Sequence, residues 1–203
     1  MTHLPRLYSI LDFGPANPNV LLNTAQELVF AGCTLLQYRN KSNSARQMLD
    51  QARELRNHLP STIKLIMNDR ADLCLAASFD GVHVGQDDLS PESVRKIIGS
   101  DRWLGVSTHN PEQLAEADQT SADYLAIGPV FATSSKEKPD PVVGLEGVRR
   151  ARQLTRKPLV AIGGISRANA AAVIEAGADS VAVISDLLKD PRKSAEEFFR
   201  ILR

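Results

Sequence analysis

Short apolar runs alternate along the chain with longer segments in which apolar residues recur every three or four positions. Eight runs have the length and composition of strands: 7–12, 34–39, 63–68, 81–85, 103–107, 124–128, 159–164 and 180–185. Helical periodicity is clearest in four segments between them: 44–59, 90–99, 110–119 and 166–177. This alternation predicts a parallel sheet whose strands are joined by crossover helices.

The residues that introduce the predicted strands show a rhythm of two units. A basic residue introduces every second strand, at Arg6, Lys64, Arg102 and Lys157. The others follow small or acidic residues, as in the FDG that precedes the fourth strand. Alternate strands fill the interior layers of an eight-stranded barrel, whereas an open sheet gives no reason for such a rhythm. The sequence therefore predicts an α/β fold with a single (β/α)8 barrel domain, a TIM barrel, over residues 1–203.

Composition narrows the classes of partner. The chain has 203 residues, enough for one domain with a full core, and its 24 basic and 24 acidic side chains cancel. This balance argues against nucleic acid or an anionic membrane as partner. Cys33 and Cys74 stand in apolar runs and are expected in the core of a protein kept reduced. The first residues lack the order of a signal peptide, and no apolar run approaches the ~20 residues of a membrane helix, so we expect a cytoplasmic protein. Nothing in the sequence indicates its oligomeric state.

Polar residues gather where the predicted strands end, and the carboxyl ends of barrel strands meet at one mouth. Gln37, Arg39 and Lys41 alternate with other residues at the end of the second strand, so they are expected to project to the same side. Two cations on one face repel each other, and a phosphorylated ligand would relieve that repulsion. The alternative is a solvated strand end.

Asp69 and Asp88 follow neighbouring strands, and their carboxylates are expected to face each other across a short gap. Two carboxylates ~4 Å apart repel by about 4 kcal/mol at an effective dielectric of about 20. A hard divalent cation shared with phosphate oxygens would relieve the repulsion, and Mg²⁺ fits such ligands. The alternative is a pair of helix N-caps.

Other candidates are weaker on their own. Gly163 and Gly164 lead towards a predicted helix N-terminus and indicate a second anion site. Residues 128–144 show neither the helical nor the strand period of apolar residues, and the segment is long enough to favour a functional loop. His83 lies mid-strand and is expected to be a hydrogen-bonded interior residue, whereas His109 could cap a helix or contact a ligand. Zinc-ligand clusters, nucleophile elbows and dinucleotide-binding motifs do not occur in the sequence.

Seven short motifs resemble, in this order, those of the thiamine phosphate synthase family: QYRNK (37–41), MNDR (67–70), GVHVGQDD (81–88), GVSTH (105–109), GPVFATSSK (128–136), AIGGI (161–165) and VAVIS (181–185). The resemblance implies an enzyme that joins a hydroxymethylpyrimidine diphosphate to a thiazole phosphate, with Mg²⁺ as cofactor. Its partners would be these two phosphorylated small molecules, and its products thiamine monophosphate and pyrophosphate.

The resemblance also implies roles for individual residues. The pyrimidine diphosphate would be bound by Gln37, Arg39, Lys41, Asn68, Ser107 and Lys136, of which Arg39, Lys41, Ser107 and Lys136 would also be catalytic. The thiazole phosphate would be bound by Thr133, Ser135, Gly164, Ile184 and Ser185. Mg²⁺ would be carried by Asp69 and Asp88. Ser135 stands where the family usually has a threonine, and it keeps the hydroxyl.

Two other functions are compatible with parts of this pattern. An isomerase of the same barrel type, similar to the thiazole tautomerases, would need no diphosphate or metal site. A non-catalytic barrel that senses phosphate would need the glycine site alone. The acids Asp69 and Asp88 favour the synthase over both.

Overall fold

Eight parallel strands alternate with helices in the computed structural model, which describes residues 3–13, 18–42, 44–133 and 140–203. The strands are β1 (Leu7–Asp12), β2 (Leu35–Arg39), β3 (Lys64–Asn68), β4 (Gly81–Val84), β5 (Trp103–Thr108), β6 (Tyr124–Ile127), β7 (Leu159–Ile162) and β8 (Ser180–Val183). The helices within these ranges are α1 (Pro18–Phe30), α2 (Ala45–His58), α3 (Ala71–Ala76), α4 (Pro91–Ile98), α5 (Pro111–Asp118), α6 (Gly144–Leu154), α7 (Ala170–Glu175), α8 (Ser185–Leu188) and α9 (Pro191–Ile201). Each strand pairs with its neighbours in sequence, and β8 pairs with β1. The predicted (β/α)8 barrel is confirmed.

The last two strands end earlier than predicted. β7 ends at Ile162 rather than at Gly164, because Gly163 and Gly164 take φ values of 96° and 63° that leave the extended region. β8 ends at Val183, and Ser185 begins the short helix α8 instead of ending the strand. Gly163 and Gly164 therefore lie in a turn at the mouth, whereas Ile184 and Ser185 form the start of a helix there.

The apolar residues form one cluster inside the barrel and another between the barrel and the helices. Successive side chains of a strand point to opposite faces. In β1, Tyr8 and Ile10 belong to the interior cluster, whereas Leu7 and Leu11 pack outwards against the helices. In β2, every second side chain points inwards: Leu35 belongs to the interior cluster, and Gln37 and Arg39 line the cavity at the carboxyl end. The strand period therefore brings those residues to the mouth.

Aspartates at the opposite, amino end of the barrel repeat with a period of two units. Asp80, just before β4, accepts hydrogen bonds from Arg56 Nη1 at 3.0 Å and from the backbone N–H of Leu65 at 2.9 Å. The arrangement recurs twice around the barrel: Asp123 with Arg95 and Leu104, and Asp179 with Arg152 and Leu159. Each such aspartate links an even-numbered helix, the strand after it and the strand after that. The same set of hydrogen bonds therefore joins helices and strands once in every two β/α units.

Two further expectations concern the environment of the chain. Cys33 and Cys74 are both buried and carry free thiols, as predicted. Across the described ranges, every helix is too short or too polar to cross a membrane.

Candidate active site

A cavity of about 430 Å³ opens at the carboxyl ends of the strands. Its lining includes these residues predicted for the site: Gln37, Arg39, Lys41, Asn68, Asp69, Asp88, Ser107, Thr133, Gly164, Ile184 and Ser185. Ser135 and Lys136 lie outside the described residues. The structure therefore brings together each predicted site residue that it describes, while the roles of these residues stay predictions.

Arg39, which ends β2, and Lys41, two residues after it, both have carboxylate partners at the mouth. Arg39 Nη1 lies 2.6 Å from Asp12 Oδ2, and Lys41 Nζ lies 3.4 Å from Asp69 Oδ2. Asp12 was not among the predicted site residues, although it ends β1 directly beside Arg39 in the register of the two strands. The pairing relieves the predicted repulsion between the two cations in part, and it orients both side chains before a ligand arrives.

The two predicted metal-binding acids meet as expected. Asp69 and Asp88 line the same cavity, and Asp88 Oδ2 accepts the backbone N–H of Gly85 at 2.7 Å. Burial first, then the hydrogen bond and negative charge of Asp88, raise the pKa of Asp69 to about 6, against a smaller opposite effect of Lys41. The site therefore disfavours two negative charges unless a cation joins them.

Neither acid caps a helix, so the alternative explanation from the sequence is wrong. The N-cap of α3 is Arg70, and the N-cap of α4 is Ser90, whose side chain accepts the N–H of Ser93. Asp69 has a φ of 63°, a left-handed conformation that aims its carboxyl at the cavity instead of continuing the strand.

The two carboxyls fit a magnesium ion that takes most of its ligands from substrate and water. In the part of the chain that the structure describes, there is no cluster of three or more His, Cys, Asp or Glu residues able to hold a metal. Mg²⁺ is commonly bound by one or two carboxylates together with substrate phosphate oxygens and water. Asp69 and Asp88 match that requirement, whereas a zinc site would need more protein ligands.

The glycine turn after β7 lies at the other side of the cavity. A Cβ on Gly164 would lie 2.5 Å from the backbone oxygen of Ala132, so the turn and the segment after β6 need glycine to approach each other. The predicted helix start at 166 is wrong, since α7 begins at Ala170. The N–H of Ser166 donates instead to Asn169 Oδ1 at 2.8 Å. Any anion site here therefore uses the glycine turn, not the helix N-terminus.

The two histidines of the barrel end have different surroundings. His83 is buried and its ring nitrogens contact Tyr124 and Ser107, so the predicted interior, hydrogen-bonded histidine is confirmed. His109 does not cap α5, because Asn110 does. His109 lines the cavity, and its Nδ1–H donates to the carbonyl of Gly128 at 2.6 Å.

The chain is a (β/α)8 barrel with a charged cavity at the carboxyl ends of its strands, which is where enzymes of this fold have their active sites. A sequence model described as thiamine monophosphate synthase matches residues 7–187. The thiamine-phosphate synthase of Koribacter versatilis is 62% identical over 98% of this chain and 96% of its own length. That of Chloroflexus aurantiacus is 45% identical over 89% of this chain and 83% of its own length.

A solved structure gives the same result. The thiamine phosphate pyrophosphorylase from Pyrococcus furiosus superposes with a TM-score of 0.84 at 32% identity and covers 97% of this chain and 96% of its own. The chain belongs to the thiamine monophosphate synthase family, and it is accordingly an enzyme of the transferase kind in thiamine biosynthesis.

Proposed function

We propose that the enzyme joins 4-amino-2-methyl-5-hydroxymethylpyrimidine diphosphate to a thiazole phosphate, giving thiamine monophosphate and pyrophosphate. Family membership supports the general activity. The observation that carries the substrate assignment is that one cavity is lined by the two carboxyls of Asp69 and Asp88, by the cations Arg39 and Lys41, and by the turn at Gly164. In this proposal, one cavity would hold a metal-linked diphosphate and, at a separate place, a monophosphate.

In the proposed reaction, the bond between the pyrimidine methylene carbon and the diphosphate oxygen breaks, and its electron pair leaves with pyrophosphate. The thiazole nitrogen supplies the electron pair of the new carbon–nitrogen bond. Arg39 and Lys41 donate to the diphosphate and stabilise the negative charge that grows on it. Mg²⁺ held by Asp69 and Asp88 would add positive charge at the leaving group. A protein nucleophile is not required.

The remaining lining residues bind and orient the two substrates. Gln37 and Asn68 are buried carboxamides at the inner part of the cavity, and such groups can pair with the ring nitrogens and the amino group of the pyrimidine. The turn at Gly164 and the nearby Ser185 offer backbone N–H and hydroxyl donors to the thiazole phosphate. The two substrates would then be held with the methylene carbon facing the thiazole nitrogen.

The test mixes purified protein with both substrates, once with Mg²⁺ and once with a chelator, and follows pyrophosphate and thiamine monophosphate together. Equal release of both products that depends on Mg²⁺ is the expected result. Product formation that ignores the chelator would overturn the metal role. If neither condition gives product while the thiazole phosphate still binds, the tautomerase-like or the phosphate-sensing function replaces the proposal.

Variants identify the residues. Asp69→Asn and Arg39→Ala should each lower kcat about 100-fold, the loss typical of removing a group that stabilises developing charge. Asp72→Asn is the matched control, because its carboxyl pairs with Arg70 outside the cavity. Normal kcat in either site variant, with circular dichroism showing a folded protein, would contradict its assignment.

A further inference from the structure

A chain of hydrogen bonds crosses the barrel interior from β2 to β5. Gln37 Nε2 donates to Tyr8 Oη at 2.8 Å, and the hydroxyls of Tyr8 and Tyr124 lie 3.0 Å apart. Tyr124 Oη lies 3.1 Å from His83 Nδ1, and His83 Nε2 lies 2.8 Å from Ser107 Oγ. The proposed function uses Gln37 at one end, and the family resemblance assigns Ser107 at the other end to the diphosphate. The three middle members, Tyr8, Tyr124 and His83, have no role in either.

The middle of the chain is electrically neutral near neutral pH. Tyr8, Tyr124 and His83 are all buried. Burial lowers the pKa of His83 to about 4, against a smaller effect of the charge of Asp88, and burial raises the pKa of both tyrosines. The imidazole therefore carries one hydrogen, so that one of its nitrogens donates and the other accepts.

The amide at one end sets the direction of all the hydrogen bonds. With the carboxamide of Gln37 donating to Tyr8, the Tyr8 hydrogen is used by donating to Tyr124. Tyr124 then donates to His83 Nδ1, which leaves Nε2–H to donate to Ser107. In the opposite direction, the Tyr8 hydroxyl would face two donors and its own hydrogen would have no acceptor in the chain.

The chemistry of the ligand favours the same direction. A serine oxygen that accepts from His83 points its own hydrogen elsewhere, and Ser107 lines the cavity. A phosphate oxygen there would accept that hydrogen in a charge-assisted bond. In the reverse direction, Ser107 would donate to His83 and turn its lone pairs towards a negatively charged ligand.

The backbone leaves room for this contact at one position. A Cβ on Gly105 would lie 2.1 Å from Tyr124 Cζ and 2.4 Å from His83 Nδ1. The absence of a side chain at Gly105 therefore permits the approach of the phenol to the imidazole.

We propose that Tyr124 and His83 are positioning residues. Tyr124 holds the imidazole of His83 as its Nε2–H tautomer, and this N–H donates to Ser107, so that the Ser107 hydroxyl hydrogen is directed to the substrate diphosphate. The identity of the bound group rests on the proposed function. The direction of the chain does not, because it follows from contacts within the protein.

The first test reads the tautomer without any substrate. Protein labelled with ¹⁵N-histidine is examined by two-bond ¹H–¹⁵N correlation, which distinguishes a ring nitrogen that carries hydrogen from one that does not. We expect His83 to show hydrogen on Nε2 and none on Nδ1. Hydrogen on Nδ1 in the wild type would overturn the proposal outright.

The second test measures binding of inorganic pyrophosphate with Mg²⁺ by calorimetry. His83→Leu removes the donor to Ser107 and should weaken binding about tenfold, whereas His83→Gln keeps an amide donor at a similar distance and should restore most of the affinity. Tyr124→Phe should weaken binding in the same direction and admit the Nδ1–H tautomer. Tyr38→Phe is the matched control, since its buried hydroxyl donates to Gln51 outside the cavity.

The outcomes separate this proposal from the proposed function. Equal pyrophosphate affinity in His83→Leu and His83→Gln, or no binding to the wild type, would overturn the positioning role towards a diphosphate. The expected tautomer and affinities in a protein that forms no thiamine monophosphate would overturn the proposed function alone. Circular dichroism confirms folding, and if His83→Leu does not fold, Tyr124→Phe and the tautomer decide.

Discussion

Replacing Asp69 by Asn should make the protein more stable and less active at once. Burial and the contact with Asp88 raise the pKa of Asp69 from 3.8 to about 6. A carboxyl whose pKa is raised by folding stabilises the folded state at low pH, and this contribution is lost as the pH rises through the folded pKa. A shift of about two units corresponds to about 3 kcal/mol, so ionised Asp69 lowers the free energy of unfolding by about that amount near pH 8.

Asparagine removes this penalty without new strain. It is neutral at every pH, and it tolerates the φ of 63° at position 69 better than most residues do. The free energy of unfolding of Asp69→Asn should exceed that of the wild type by about 3 kcal/mol near pH 8 and by about 1 kcal/mol near pH 4.5. Urea unfolding followed by circular dichroism, in buffers with chelator across this pH range, measures both differences.

The control variant, Asp72→Asn, should change the free energy of unfolding in the opposite direction. The hydrogen bond from Arg70 lowers the pKa of Asp72, so Asp72→Asn should reduce stability near pH 8 instead of raising it. The reasoning is refuted if Asp69→Asn is no more stable than the wild type near pH 8, or if their difference does not grow with pH. Added together, Mg²⁺ and pyrophosphate should stabilise the wild type and leave Asp69→Asn nearly unchanged, because ligands stabilise only the state that binds them.

Two glycine variants test the packing around the cavity. Gly164→Ala places a Cβ 2.5 Å from a backbone oxygen at a φ of 63°, which should distort the turn. In steady-state kinetics, KM for the thiazole phosphate should rise about tenfold, and KM for the pyrimidine diphosphate should change little. Gly99→Ala, where φ is 77° with nothing within 4 Å, should leave both KM values unaltered, and equal effects of the two variants would contradict this role of the turn. Gly105→Ala forces a contact of 2.1 Å with the ring of Tyr124 and should lower the free energy of unfolding by about 3 kcal/mol in urea; a neutral effect would show that the ring can move aside.

Much of the fold was predictable because local chemistry repeats with the architecture. The basic residues at the starts of alternate strands were visible in the sequence, and so were the aspartates before three of the even strands, β4, β6 and β8. The structure gives the reason for these aspartates: Asp80 accepts from Arg56 of the preceding helix, from Lys64 and from the N–H of Leu65 in β3, and Asp123 and Asp179 make equivalent contacts with a helix arginine and a strand N–H. The end of β8 was not predictable, because Ile184 and Ser185 are compatible with either a strand or a turn.

The candidate site was predictable to the extent that strand ends converge. Asp12 escaped prediction because its role depends on the register that sets it beside Arg39, although its position at the end of β1 was a usable signal. Tyr8 and Tyr124 escaped because a tyrosine in an apolar strand fits a core residue equally well. Only the positions of all four strands around the interior show that the two hydroxyls meet between Gln37 and His83.

The two ends of the barrel carry opposite kinds of interaction. At the amino ends, carboxylates such as Asp80 accept hydrogen bonds from an arginine and from a backbone N–H. At the carboxyl ends, Asp69 combines a left-handed backbone with a raised pKa and a like-charged neighbour, Asp88. Because the strands separate the two ends, the favourable contacts can hold the barrel closed although the contacts at the mouth are unfavourable. Under the proposed function, ionised Asp69 lowers the stability of the folded protein and contributes to ligand binding, which is why the stability and the activity of Asp69→Asn should move in opposite directions.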